Sequence, residues 1–206
     1  MNFCRLDIEN DMWLKQATEQ DWGQVIQKCT DATLEATGWA PQSEVSFLLT
    51  DDAIMQELNG QHRQKNETTN VLSFPLISFS RPTVPENECA PVLQNLDLQG
   101  FAPPVGGGFQ APTKNLDSQH NNNQRNISDV DDIARCMLGD VVLSYSTVLK
   151  ESKALGRPFL DHVFHLMTHG VLHLLGYDHE NDSEAFLMES LEILVLQRFE
   201  IPNPYV

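Results

Sequence analysis

Three histidines in the last quarter of the sequence have types and a spacing that suit metal chemistry. His169 and His173 are four residues apart, and His179 follows six residues later. On a helix, a spacing of four places both rings on one face, one turn apart, where they can reach one ion. Gly176 predicts the end of the helix and a turn that brings His179 back toward the pair. Three imidazoles with a fourth position open are typical of a catalytic zinc site, since structural sites take all four ligands from the protein.

The residue that follows the first histidine separates this pattern from a zinc peptidase. Peptidases with the spacing HExxHxxGxxH carry a glutamate there, which acts as the general base. This chain has Gly170 at that position. A zinc peptidase is therefore the weaker alternative, because the metal-binding pattern is present and the base of peptide hydrolysis is absent.

Three short motifs occur along the chain in a fixed order. They are TNVLSFP at 69–75, LGDV at 138–141 and HGVLHLLGYDH at 169–179. Together they resemble the YbeY family, the metal-dependent endoribonucleases of bacterial ribosomal RNA maturation. The resemblance extends over about residues 1–80 and 137–200, and the histidine motif is its most specific part.

The resemblance implies an activity and a site. The activity is that of a single-strand-specific, zinc-dependent endoribonuclease in 16S rRNA 3′ end maturation and ribosome quality control. One Zn²⁺ per chain would be bound by His169, His173 and His179. Arg63 matches a functionally important arginine of the family and is counted with His169 as catalytic. Its guanidinium donates a planar fork of hydrogen bonds that matches phosphate oxygens.

The general base of such a reaction is not evident from the sequence. Asp178 and Asp140 are candidates, either for that role or for orienting a metal-bound histidine. Attack by water and attack by the 2′-hydroxyl of the RNA both stay open. His162 and His165 precede the motif on the same helix and are interpreted as supporting or buried polar residues, with His165 as a minor alternative ligand.

The charge of the chain argues against a free-standing nuclease. Its 13 basic and 29 acidic residues give a formal net charge of −16, whereas nucleic-acid binders usually carry a basic surface. A partner that presents the RNA would resolve this conflict. The resemblance implies ribosomal RNA, the small ribosomal subunit with its proteins, and an assembly GTPase as partners. A non-catalytic assembly factor with a structural metal is the main alternative.

Length and composition predict one cytoplasmic domain over residues 1–206. No apolar run approaches the ~20 residues of a membrane span, and the first residues lack the pattern of a secretory signal. The four cysteines form no CxxC pair, as expected for reduced thiols. Residues 81–136 hold six of the 11 prolines and a Gly106–Gly108 run. This segment is predicted to be a disordered insertion in a surface loop.

The pattern of strands and helices along the sequence predicts an α+β fold, which must position these residues. A small mixed four-stranded sheet packs with helices, and a zincin-like metal helix lies near the C-terminus. Strands are predicted at 3–8, 44–49, 71–77 and 139–145, and helices at 19–37, 53–60, 146–156, 159–175 and 182–199. Pro75 predicts that its strand lies at an edge of the sheet or contains a bulge.

For several polar residues we predict a structural role and not a catalytic one. Asp51 and Asp52 are expected to cap the second helix, and Asn181 or Asp182 the last one. Ser146 or Thr147 is expected to cap the helix between them. Residues 61–70, which include Arg63, are predicted to form a polar loop. Three acidic residues of the last helix are expected on a solvated face: Glu184, Glu189 and Glu192.

Overall fold

A computed structural model describes residues 2–16, 21–39, 42–79 and 136–206. Its strands are β1 (Phe3–Ile8), β2 (Ser43–Thr50), β3 (Val71–Pro75) and β4 (Cys136–Ser144). Its helices are α1 (Asp11–Gln16), α2 (Trp22–Ala36), α3 (Asp52–Arg63), α4 (Tyr145–Ala154), α5 (Phe159–Leu174) and α6 (Asp182–Gln197). None of the helices in these ranges combines the length and the apolarity needed to cross a membrane.

The four strands form one mixed sheet in the order β1-β2-β4-β3. β1, β2 and β4 run parallel, and β3 pairs antiparallel with β4. The predicted α+β class with a mixed four-stranded sheet is confirmed. The prediction for Pro75 is also confirmed, since it ends the edge strand β3, where a residue without an N–H group does not interrupt the sheet.

Helices cover both faces of the sheet. On one face α2, α5 and α6 enclose the main core, which includes Val141 and Leu143 of β4. On the other face α3 packs through a smaller cluster of Met55, Leu72 and Val142. Because β3 lies at the edge, α3 on one face and α5 on the other can both reach the surface beside it.

Gly170 lets α5 approach the sheet closely. A Cβ atom at this position would lie 2.6 Å from Val141 Cγ1 and 3.2 Å from Ser73 Oγ. The Ser73 hydroxyl donates to the Gly170 carbonyl oxygen at 3.1 Å, which joins β3 to α5. A side chain at residue 170 would therefore enter the interface between helix and sheet.

We expect Gly170→Ala to lower the free energy of unfolding by about 1 kcal/mol. Overpacking a core costs about 1–3 kcal/mol, and the better helix propensity of alanine returns about 1 kcal/mol of that. Denaturant unfolding would measure the difference. The control is the double variant Gly170→Ala/Val141→Ala, compared with Val141→Ala alone. The obstructing methyl groups are absent from both proteins, so the added Cβ should not change stability there. A Gly170→Ala protein as stable as the wild type would contradict the packing argument.

Two of the predicted helix caps are confirmed and one is wrong. The Asp51 carboxylate accepts from the N–H groups of Ala53 and Ile54 at 3.0 and 3.1 Å. Asn181 accepts from the Glu184 N–H at 3.0 Å. The helix predicted to be capped by Ser146 or Thr147 begins one residue earlier, at Tyr145.

The capping group of α4 comes from another helix, α3. The Asp52 carboxylate accepts from the N–H and the hydroxyl of Thr147 at 3.1 and 3.0 Å, and also from the Ser144 hydroxyl. This contact joins α3 to the start of α4, so a residue expected to serve its own helix stabilises another one.

The predicted loop at 61–70 begins later than expected. Helix α3 continues past Gly60 to Arg63, and Gln64 then adopts the left-handed conformation with φ 58°. The Lys65 N–H donates to the Asn59 carbonyl oxygen at 3.3 Å, which closes the helix. Arg63 therefore lies in the last turn of α3 and not in a loop.

One helix was not predicted, and part of the chain lies outside the described residues. Helix α1 supplies the fully buried Trp13 to the core. The predicted insertion at 81–136 lies outside the described residues except for Cys136, the first residue of β4. Its disorder and the single-domain organisation stay predictions.

Candidate metal centre

Helix α5 and the turn that follows it supply the three histidines of the motif. His169 and His173 lie on α5, and Gly176 adopts φ +85° directly after it. The Gly176 N–H donates to the His173 carbonyl oxygen at 3.0 Å, and the Tyr177 N–H donates to the Leu172 carbonyl oxygen at 3.1 Å. The glycine turn is thus confirmed, and it places His179 beside the helix pair.

The three imidazoles form a compact cluster. One nitrogen from each ring lies within 4.8 Å of the corresponding nitrogens of the other two. The ring centroids are separated by 4.5 Å for His169 and His173, 5.3 Å for His169 and His179, and 5.2 Å for His173 and His179. The structure therefore brings together the three residues that the sequence selects as ligands, and this cluster can hold a metal ion.

Hydrogen bonds on the far side of two rings fix where their protons lie. His173 Nδ1 is 2.9 Å from the Tyr177 carbonyl oxygen, and His169 Nδ1 is 2.8 Å from Glu192 Oε1. Both oxygens accept, so each ring carries a proton on Nδ1, and the neutral form of each ring has its lone pair on Nε2. These two Nε2 atoms lie 3.0 Å apart. When both rings are neutral, two lone pairs face each other at this distance, and a cation among the three rings relieves their repulsion.

The pKa of His173 supports the same conclusion. Burial, together with the neighbouring His169 and His179, lowers it to about 4. The ring is therefore neutral at physiological pH, as a metal-binding imidazole must be. A donor set of imidazoles suits zinc and other first-row transition-metal ions.

Glu192 on α6 orients the cluster, and the prediction of a solvated position for it was wrong. Its side chain is 1% exposed, with Oε1 on His169 and Oε2 2.8 Å from His165 Nε2. Burial alone would raise the pKa of this carboxyl, but the hydrogen bonds from His165 and His169 outweigh burial and hold it below its ordinary value. A buried carboxylate behind a histidine sets the ring orientation and raises its basicity toward a metal.

The sequence does contain a signal for the position of Glu192. Met188 lies four residues before it and Val195 three residues after it, which is helical spacing, and both are buried. A charged residue within that apolar stripe must lie on the core side of the helix. Glu184 and Glu189 are partly exposed.

The other two histidines of α5 form hydrogen bonds with carboxylates beside the metal cluster, which agrees with their predicted supporting role. His162 is 4% exposed, and its Nε2 is 3.0 Å from Glu151 Oε2. His165 contacts Glu192 and so lies next to the group that orients His169.

Arg63 and His173 of the histidine cluster line one open cleft beside the edge strand β3. The cleft has a volume of about 300 Å³, and Arg63, Ser73, His173, Tyr177 and Asp178 are among the residues that line it. Arg63 reaches it from the end of α3, on the sheet face opposite to α5. A cationic side chain and one histidine of the metal-binding cluster thus face the same space.

The two candidate carboxylates lie in different places. Asp178 lines the cleft, and its Oδ1 accepts from the His179 N–H at 2.9 Å. Asp140 lines a separate groove with Asp7 and His62. Successive residues of a strand point to opposite faces, and Val141 faces α5, so Asp140 points away from the histidines. The structure therefore does not bring Asp140 to the site.

Comparison with known proteins gives consistent matches over most of the chain. A family model described as Endoribonuclease YbeY matches residues 7–200. A protein named Endoribonuclease YbeY from Dinoroseobacter shibae is 37% identical over 179 residues, which are 86% of this chain and 78% of that protein. A protein of the same name from Bartonella bacilliformis is 34% identical over 201 residues, 97% of this chain and 94% of its own.

A solved structure also aligns with the chain. The solution structure of TM1509 from Thermotoga maritima covers 98% of this chain and 99% of its own, with 16% identity and a TM-score of 0.46. This similarity is too low to add to the other matches. The range matched by the family model includes Arg63 and all three histidines of the cluster.

Proposed function

Because the chain belongs to the YbeY endoribonuclease family, we propose that it is a metal-dependent endoribonuclease that processes ribosomal RNA. One observation supports this proposal above the others: Arg63 and His173 line the same cleft. A nuclease must stabilise negative charge at phosphorus and supply a nucleophile. The cleft offers a cationic side chain and a metal-binding cluster for these tasks.

His169, His173 and His179 are the proposed ligands of one zinc ion per chain, with α5 as a zincin-like metal helix. When bound, zinc supplies Lewis acidity toward the phosphodiester. The chain's own residues prepare the site: the Tyr177 carbonyl and Glu192 keep the ring protons on Nδ1, so that the Nε2 lone pairs face inward. The same contacts hold the rings in place before substrate arrives.

Arg63 is the proposed phosphate-binding residue of the cleft. Its guanidinium donates in a planar fork to two oxygens of the scissile group and stabilises charge that grows during the reaction. Asp178 is the candidate carboxylate that lines this cleft, and we assign it the acceptance of the nucleophile's proton or the orientation of His179. Asp140 is not assigned a role here, because it lies in the other groove.

The proposed substrate is single-stranded RNA at the 3′ end of 16S rRNA, with a further role in ribosome quality control. The formal net charge of −16 favours a substrate that is delivered by a partner. We propose that small-subunit proteins, with an assembly GTPase, present the RNA in the cytoplasm. The same charge is the observation in favour of the alternative, an assembly factor that binds the particle and does not cleave it.

A cleavage assay with three presentations of RNA tests the function. Zinc-loaded, chelated and zinc-restored protein would be compared on single-stranded precursor RNA, on a duplex, and on precursor RNA within small subunits. We expect cleavage that chelation abolishes and zinc restores, strongest on single-stranded RNA within the particle. A cyclic 2′,3′-phosphate on the product would identify attack by the 2′-hydroxyl.

Two results would contradict the proposal. Retained binding to the particle without metal-dependent cleavage in any presentation would favour the assembly factor. Cleavage of a peptide substrate in a parallel assay would favour the peptidase.

A further inference from the structure

The segment that follows α6 returns to the core and contacts the carboxylate behind the metal centre. The Tyr205 hydroxyl donates a hydrogen bond to Glu192 Oε2. The same hydroxyl oxygen lies 3.4 Å from His165 Nε2, and the two rings pack edge to face with centroids 5.7 Å apart. Residue 205 thus lies two contacts away from His169, although 36 positions separate them in the sequence.

The backbone of this segment has attachments that do not involve the tyrosine hydroxyl. Arg157 donates from its guanidinium to the Pro204 carbonyl oxygen. The Tyr205 N–H donates to Asn203 Oδ1 at 2.8 Å, and the Ile201 N–H donates to the Leu196 carbonyl oxygen at 3.1 Å. Removing the hydroxyl of Tyr205 therefore leaves these backbone contacts in place, and the described contacts of the hydroxyl itself are to Glu192 and His165.

The two carboxylate oxygens of Glu192 have different partners, one within the metal cluster and the other outside it. Oε1 accepts from His169, and Oε2 accepts from Tyr205 and faces His165. The carboxylate is planar, so partners on Oε2 also determine where Oε1 points. Since the Glu192 side chain is almost completely buried, the loss of a donor to it costs free energy.

We propose that Tyr205 is a positioning residue of the metal centre, which sets metal affinity by fixing the Glu192 carboxylate that orients His169. This inference rests on the proposed metal site and adds to it a residue outside the histidine motif. Groups behind a metal ligand typically change affinity by 10- to 100-fold when they are removed. Because Tyr205 acts through a second residue, we expect an effect at the lower end, about tenfold.

Tyr205→Phe tests the proposal, because it keeps the ring and removes only the hydroxyl. Zinc affinity would be measured by competition with a chromogenic chelator, and the cobalt form by its visible absorption, which responds to ligand geometry. Tyr145→Phe is the matched control. Its hydroxyl oxygen accepts from Gln16 Nε2 at 2.9 Å, and its ring packs against Trp13, without contact to Glu192.

We expect Tyr205→Phe to bind zinc about tenfold more weakly and to alter the cobalt spectrum, while Tyr145→Phe matches the wild type in both. In a Glu192→Gln background, where an amide replaces the carboxylate, adding Tyr205→Phe should change affinity by less than about twofold, since coupled residues are not additive.

Each other outcome overturns the inference in a recognisable way. Wild-type affinity and spectrum in Tyr205→Phe would remove Tyr205 from the metal centre and leave the proposed function intact. Equal losses in the two tyrosine variants would show a general loss of structure instead. A wild-type protein that binds neither ion would overturn the metal centre itself and this inference with it.

Discussion

His173→Ala is expected to abolish stoichiometric metal binding. His173 contributes one of the three clustered nitrogens, and its Nδ1 is already engaged by the Tyr177 carbonyl oxygen. Zinc sites with four protein ligands bind with about 10–16 kcal/mol, so one ligand accounts for roughly 3–4 kcal/mol, or about a hundredfold to a thousandfold in affinity. Wild-type protein should carry about one divalent ion per chain, and the variant should lose it on dialysis.

Elemental analysis of freshly purified protein measures this directly, and thermal unfolding provides a second readout. Free zinc at a thousandfold excess over its dissociation constant stabilises a protein by about 4 kcal/mol. Added zinc should therefore raise the melting temperature of the wild type and have little effect on His173→Ala. His62→Ala is the control, because His62 is exposed on α3 and packs against Phe74 in the other groove.

The metal assignment would fail if wild-type protein contained no divalent ion and gained no stability from added zinc. It would also fail if His62→Ala lost the metal to the same extent as His173→Ala. Retention of a tightly bound ion in His173→Ala would show that the ion lies elsewhere in the chain.

Arg63→Ala is expected to reduce RNA cleavage by about a hundredfold with little change in metal content. The loss of one preorganised charge-stabilising donor costs about 10²–10³ in rate. Arg63 is exposed at the end of α3, where a substitution usually changes stability by within about 0.5 kcal/mol. Arg63→Lys should recover only part of the activity, because an ammonium keeps the charge and loses the fork.

The comparison needs a variant that removes the same charge elsewhere. Arg198→Ala fulfils this condition, since Arg198 forms a surface ion pair with Glu35 at 2.9 Å. Single-turnover cleavage, metal content and melting temperature would be measured for all three variants. Cleavage by Arg63→Ala at the wild-type rate would exclude Arg63 from the mechanism, and an equal loss in Arg198→Ala would indicate an effect of overall charge.

The packing of Gly170 adds a physical reason to the sequence argument against a peptidase. The sequence shows only that the glutamate of peptide hydrolysis is missing. The structure shows that position 170 faces Val141 at a distance that leaves no room for a side chain. The glycine thus serves the approach of helix to sheet, and that approach carries the histidines to the cleft beside β3.

Features that depend on neighbouring residues could be predicted from the sequence. The bounds of β1, the caps at Asp51 and Asn181, the edge position of Pro75 and the turn at Gly176 agree with the structure. Each follows from backbone geometry or hydrogen bonding within a few residues. The spacing of His169 and His173 belongs to this group, because helix periodicity alone places the two rings on one face.

Features that depend on contacts distant in sequence were decided only by the tertiary structure. The sequence gives no distance between Arg63 and His173, which meet because β3 is an edge strand reached from both faces. The face occupied by Asp140 depends on which neighbour of that residue packs against α5. The apolar stripe of its helix indicates a core position for Glu192, but its partners His165, His169 and Tyr205 converge on it from elsewhere in the chain and could not be predicted. Local patterns therefore identified the metal ligands, whereas the groups that orient them and the cleft they face required the packing of α3, α5 and α6 around the sheet.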